Sequence, residues 1–196
     1  RTDSSYSDGR RPDTVRFGKS LKEDLLRRDF TVNALAVDVS RKILHDPYGG
    51  LSDIRSKTIR AVGDPNIRLS EDGLRILRAY RFMGNFKSIW NLEDSLRSSL
   101  KISINMLGNV AMERIWNELK KILAGKHAGT VLSIMSEDNI LDVILHGTYR
   151  PKSRGIVSQL NPILTPYSVS PIARLSLLLV DSWNNNITND SKSSPN

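Results

Sequence analysis

The chain has 196 residues, enough to bury a sizeable core in one or two domains. Lys and Arg outnumber Asp and Glu by 29 to 21, and the net charge of +8 favours an anionic partner, with nucleic acid or nucleotide ahead of acidic membrane. The absence of cysteine excludes disulfides and thiolate metal sites. The three histidines (His45, His127, His146) match no ligand spacing, and no apolar run reaches the roughly 18 residues of a membrane span.

In chain order, residues 1–12 ("RTDSSYSDGRRP") are polar and turn-rich and read as a loop, and "DTVRFG" (13–18) alternates as a short strand. Ser20, with Glu23 three residues on and leucines at helical spacing, predicts a short helix over "SLKEDLLRRD". Thr31 and Asn33 suit a capped helical turn. "LAVDV" and "KILHD", split by "SR", predict a small hairpin. "PYGG" is a turn, and "LSDIRSKTIRAVG" predicts a short helix followed by a strand, after which β signals stop.

From Leu69 onward the pattern is helical, over "SEDGLRILRAYRFMGN", "LEDSLRSSLK", "AMERIWNELKKILAG", "KHAGTVLSIMSED", "NILDVILHG" and "SPIARLSLLLVDSWN". The clearest of these places Ile115, Leu119 and Ile122 on one face. The stretch 149–170 carries Pro151, Pro162 and Pro166 and reads as an irregular connection, and the polar tail 184–196 is expected to be disordered. The expected class is therefore α+β. An incomplete piece with a few short strands covers 1–65, and an all-helical region covers 66–183. Three or four short strands are few for a free-standing sheet, so part of the first domain is expected upstream of Arg1.

Two clusters carry chemistry. In "RLSEDGLRILRAYRFMGNF" the expected helix over 69–84 puts Leu69, Ile76, Leu77, Tyr80 and Met83 on one side and Arg75, Arg78 and Arg81 on the other, with Asp72 one step before Arg75. One reading is an amphipathic helix with a solvated basic face. The other is recognition. Asp accepts hydrogen bonds and Arg only donates them. Cytosine and adenine present an amino donor beside a ring-nitrogen acceptor, whereas uracil and guanine present a carbonyl acceptor beside an N–H donor. One fixed Asp72/Arg75 pair is then complementary to C and A and mismatched to U and G, at about 1–3 kcal/mol per unpaired group. Arg78 and Arg81 remain for a triphosphate. The second cluster, "EDLLRRDFTVNALAVD", offers Arg27 and Arg28 to phosphate or sugar and Asp29 and Asn33 to ribose hydroxyls; the plainer alternative is a helix end stabilised by two basic residues.

With both clusters quoted, the chain resembles the class II tRNA nucleotidyltransferase (CCA-adding enzyme) and poly(A) polymerase family over roughly residues 1–125. "RRDFTVNALAVD" resembles its ribose-recognition motif, and "DPYGGLSDIRSKTIRAVGDP" a Gly-containing hinge-like turn. "RLSEDGLRILRAYRF" resembles the EDxxR nucleotide-selection motif, and "AMERIWNELKKIL" a helix that supports the site. The resemblance implies a nucleotidyltransferase head followed by a helical neck and body. It also implies tRNA, CTP and ATP as partners, a cytoplasmic location and no membrane. Implied nucleotide contacts are Arg28, Asp72, Arg75, Arg78 and Arg81, with Asp29 and Asn33 serving the sugar and Asp72/Arg75 templating the base. The family's Mg2+ is held by a DxD pair after a Gly-Ser turn. Neither occurs in this sequence, so those ligands are expected upstream of residue 1 and no catalytic or metal residue is assigned within the chain. A poly(A)-adding, CC-only or A-only relative, and a non-enzymatic RNA-binding helical module, are the competing readings.

Overall fold

The computed structural model describes residues 2–3, 15–16, 20–145, 170–176 and 178–179. The expected connection over 149–170 (Ser170 apart) and the expected tail lie outside the described residues. Helices with a few short strands make up the fold, as the pattern predicts.

Thr2–Asp3 (β1) pairs antiparallel with Val15–Arg16 (β2), so the stretch read as a loop contributes one strand of a short ladder. Leu21–Leu26 (α1) begins after extended Ser20 (φ −127°) and carries Glu23 and Asp24 in its first turn, where carboxylates favour the helix dipole. The predicted turn is a 3-10 helix, Thr31–Asn33. The predicted hairpin is Ala36–Asp38 (β3) against Ile43–His45 (β4), with Ala36 opposite His45. The Asp38 carboxylate closes it by accepting from the N–H groups of Ser40 (3.1 Å) and Arg41 (3.0 Å). Gly50–Ser56 (α2) and Thr58–Ile59 (β5) follow. A Cβ on Gly50 would lie 2.3 Å from the Thr31 carbonyl oxygen, so only glycine lets α2 press against the 3-10 turn.

The expected single helix over 69–84 is two helices. Pro65–Glu71 (α3) starts earlier than predicted, because Asp64 accepts from the Asn66 N–H (2.7 Å) and Pro65 supplies a pre-set first turn. Asp72 then turns extended (φ −158°, ψ 107°), and Leu74–Gly84 (α4) begins anew. The Asp72 carboxylate accepts from the Leu74 N–H (3.0 Å), and Gly73 lets the Met106 carbonyl approach to 2.7 Å of where a Cβ would stand. The Asp-Gly pair is a chain-turning signal that outweighs the helical period around it.

Asn91–Leu92 (β6) pairs parallel with β5, a strand the sequence reading did not anticipate. Asp94–Ile102 (α5) is capped by Glu93, whose carboxylate accepts from the Leu96 N–H (3.0 Å). Met112–Ala124 (α6), Ala128–Glu137 (α7) and Ile140–Ile144 (α8) follow, with a further helical segment at 171–176. Arg174 from that segment donates to the carbonyls of Leu123 and Gly125, satisfying the open end of α6. The core centres on α4: Ile76, Leu77, Ala79 and Tyr80 are completely buried and pack with Leu119, Ile122 and Leu132. Phe30, Ile59 and Ala61 join the same core, so α4 lies between the strand-containing part and the helices.

Candidate functional site

The end of α1, the 3-10 turn, the α3–α4 junction and the start of α6 converge on an open cavity of about 520 Å³. Its wall holds five guanidinium groups (Arg27, Arg28, Arg75, Arg78, Arg114) against two carboxylates, Asp29 and Asp72. That surplus of fixed positive charge suits a polyanion.

Asp29 anchors the floor. It is only 6 % exposed. Its Oδ1 accepts from the Phe30 N–H (2.9 Å) and Asn33 Nδ2 (3.0 Å), and its Oδ2 from Arg78 Nε (2.7 Å) and Nη2. Burial pushes its pKa up, but the Arg78 charge and the hydrogen bonds from Asn33, Arg78 and Phe30 outweigh it and hold the carboxyl below the usual range.

Arg75 is no solvated side chain: it is 15 % exposed. Its Nη1 donates to Glu71 Oε2 (2.5 Å) and the Arg68 carbonyl (2.6 Å), and its Nη2 to the Arg27 carbonyl (3.2 Å). Asp72 is fixed by the Leu74 N–H on Oδ1 and by Arg114 Nη2 on Oδ2 (2.8 Å). Each carboxylate oxygen keeps a second lone pair and Arg75 keeps donors, so both groups are held in place and still able to bind. Arg28 is half exposed at the rim and pairs with Asp24 Oδ2 (3.1 Å).

Six of the seven residues predicted from sequence therefore share one cavity: Arg28, Asp29, Asn33, Asp72, Arg75 and Arg78. Arg81 does not line it. Its Nε donates to the buried Glu118 on α6 (2.5 Å), and its guanidinium lies 4.3 Å from the centroid of the Phe82 ring, whose side chain borders the cavity. Arg114 was missed, because helical periodicity marks the apolar face of α6 and says nothing of which charge on the other face reaches Asp72. Arg27 was noticed only beside Arg28.

Burial also raises the pKa of Glu118, but the Lys121 and Arg81 contacts outweigh it, and the net shift is downward. Carboxyls depressed in the fold contribute stability above their ordinary values, near 3.8 for Asp and 4.5 for Glu, and lose it as pH falls. Denaturant melts are expected to give a flat stability from neutrality down to about pH 5 and a progressive loss below it. Stability unchanged at pH 3 would show that these carboxylates are not ionised partners in the fold.

Among the described residues, no group of three or more His, Asp or Glu is arranged to hold a metal ion. Asp29 and Asp72 are each paired with an arginine, Arg78 and Arg114 respectively. Among the same residues, no helix is long and apolar enough to cross a membrane.

Residues 1–60 match the poly(A) polymerase head domain, and residues 91–149 match the probable RNA and SrmB-binding site of polymerase A. The CCA-adding enzyme of Geobacillus sp. (strain WCH70) is 41 % identical over 140 residues, covering 71 % of this chain and 34 % of that protein. The chain belongs to the tRNA nucleotidyltransferase and poly(A) polymerase family. The CCA-adding enzyme of Pediococcus pentosaceus is 46 % identical over 125 residues, 64 % of this chain and 31 % of that enzyme. Among solved members of the family, the Bacillus stearothermophilus CCA-adding enzyme in complex with CTP superposes with a TM-score of 0.66 at 33 % identity, covering 72 % of this chain and 35 % of that one. A tRNA nucleotidyltransferase complexed with a primer tRNA and an incoming ATP analog gives 0.62 at 35 % identity, covering 71 % and 41 %. The chain thus spans about a third of the length of the curated family members it matches.

Proposed function

We propose that this chain is the nucleotide-selecting part of a tRNA nucleotidyltransferase that adds C and A from CTP and ATP to the tRNA 3′ end. The observation that carries the reading is the cavity itself. An acceptor, Asp72, and a donor, Arg75, stand at the α3–α4 junction in a wall of excess guanidinium charge. Asp72 accepts from the exocyclic amine of C or A, and Arg75 donates to the adjacent ring nitrogen. Arg78, Arg28 and Arg114 face the triphosphate, and Asp29 and Asn33 face the sugar. The names of relatives that act as CCA-adding enzymes, or were solved with CTP and tRNA, support the same assignment.

In this reading Mg2+ serves the family's chemistry from ligands outside the described residues, the boundary between head and neck falls near residue 65, and the protein works in the cytoplasm. The test supplies the full-length gene product with a tRNA lacking its 3′ end together with CTP and ATP, and sequences the product. An added CCA is expected. A run of A would assign it to poly(A) addition, and CC or A alone to a partial activity. Binding without incorporation would reduce it to an RNA-binding module.

A further inference from the structure

A second polar cluster lies outside the cavity, on the opposite side of α4. Asp138, 2 % exposed, ends α7 just before Asn139, whose left-handed backbone (φ +60°) turns the chain into α8. Its Oδ2 accepts from the Tyr80 hydroxyl (2.9 Å) and Arg97 Nε (3.0 Å), and its Oδ1 from Arg97 Nη2 (2.9 Å), with Lys101 Nζ also 2.9 Å away. Three elements therefore meet on one carboxylate: α4 through Tyr80, α5 through Arg97 and Lys101, and the α7–α8 turn. Burial raises the pKa of Asp138, but Arg97, Lys101 and the Tyr80 hydroxyl outweigh it, leaving the carboxyl below its usual range. Burial and the adjacent charge push the Tyr80 phenol far up, so it stays a donor.

Among the described residues Tyr80 is the largest fully buried side chain, and apolar packing would hold a Phe there equally well. The hydroxyl adds direction. Apolar contact is indifferent to small rotations of a helix, whereas a hydrogen bond to an ionised carboxylate is not. At about 100° per residue, Tyr80 stands about 160° around α4 from Arg78 and about 140° from Arg75. A 10° turn of the helix would move a side-chain tip about 5–6 Å from the axis by about 1 Å. That is enough to spoil a two-point contact with a base, since rates are sensitive to misplacements of this size.

We propose that the Tyr80–Asp138 hydrogen bond is a positioning device that fixes the rotation of α4 and so sets Arg75 and Arg78 against the nucleotide. The inference rests on the proposed reading of the cavity as the CTP and ATP site. In the full-length gene product, Tyr80→Phe removes only the hydroxyl. It is expected to raise KM for CTP and ATP three- to tenfold and to increase UTP misincorporation, with KM for tRNA unchanged. Ile140→Ala trims a buried side chain that takes no part in the Tyr80–Asp138 hydrogen bond and serves as the stability control. It is expected to lower the melting temperature at least as much while leaving nucleotide KM and base choice alone. Equal nucleotide effects in the two variants at equal loss of stability would overturn the proposal and make Tyr80 merely structural. If Asp72→Ala alters base choice and Tyr80→Phe does not, the positioning role falls and the reading of the cavity stands. If Asp72→Ala leaves base choice intact, the cavity reading fails and this inference with it.

Discussion

Asp72→Asn in the full-length gene product is expected to relax discrimination against UTP by about 5- to 150-fold, while binding of tRNA is kept. The carboxylate offers only acceptors, so the O4 carbonyl of uracil meets a like partner and the ring N–H meets the donor Arg75. An amide turned about its last torsion presents N–H2 to that carbonyl and removes one mismatch, worth about 1–3 kcal/mol, or about 5- to 150-fold. CTP is still accepted through the amide oxygen. The structure sharpens the expectation, since Asp72 also accepts from the Leu74 N–H and from Arg114. The amide can keep one of these contacts, whereas Asp72→Ala loses both the cap of α4 and the acceptor, with about 1 kcal/mol of stability for the cap alone. The check is competition between CTP and UTP on a tRNA lacking its end. Unchanged selectivity in Asp72→Asn would remove the base-reading role from this residue.

That six of seven site residues share a cavity was legible through the family resemblance, which assigns both clusters to one nucleotide; within each cluster, donors, acceptors and their spacing are local facts. "RRDFTVN" fixes Asp29 and Asn33 four residues apart, and the structure closes that spacing into one hydrogen bond. The apolar face of α4 was legible for the same reason. The break at Asp72 was not, because the helical period of the leucines and arginines continues across it in register; only the Asp-Gly pair and the Asp64-Pro65 start announce two helices. The parallel pairing of Thr58 with Asn91 was out of reach, since a two-residue strand has no period and its partner lies 33 positions away. Charge pairing was the least legible. A wheel places Arg75 and Arg81 on a wet face, yet they are 15 % and 13 % exposed, because Glu71 and Glu118 come up to meet them. Which cation a distant carboxylate selects is decided by tertiary packing. The sequence alone therefore grouped Arg81 with Arg75 and Arg78.

Arg81 tests that distinction. Arg81→Ala is expected to destabilise the fold by about 3–5 kcal/mol, the usual cost of stripping one partner from a buried pair. Glu118 is 4 % exposed and, among the described residues, retains only the partly solvated Lys121 (2.8 Å). The loss is expected as a lowered denaturation midpoint rather than as weaker nucleotide binding at temperatures where the variant is folded. The double variant Arg81→Met, Glu118→Leu replaces the pair by apolar groups of similar volume, which is often neutral because neither ion is then taken out of water. It should recover most of the lost stability and bind CTP nearly as the parent does. Arg78→Ala makes the contrast. It too leaves a buried carboxylate, Asp29, but this one keeps Asn33 and the Phe30 N–H, and the lost cation faces the cavity. Its signature is a large rise in KM for CTP and ATP with a smaller loss of stability. If the stable double variant at positions 81 and 118 lost nucleotide binding as severely as Arg78→Ala, Arg81 would belong to the nucleotide site after all, and the ion pair with Glu118 would be a resting contact that the nucleotide displaces.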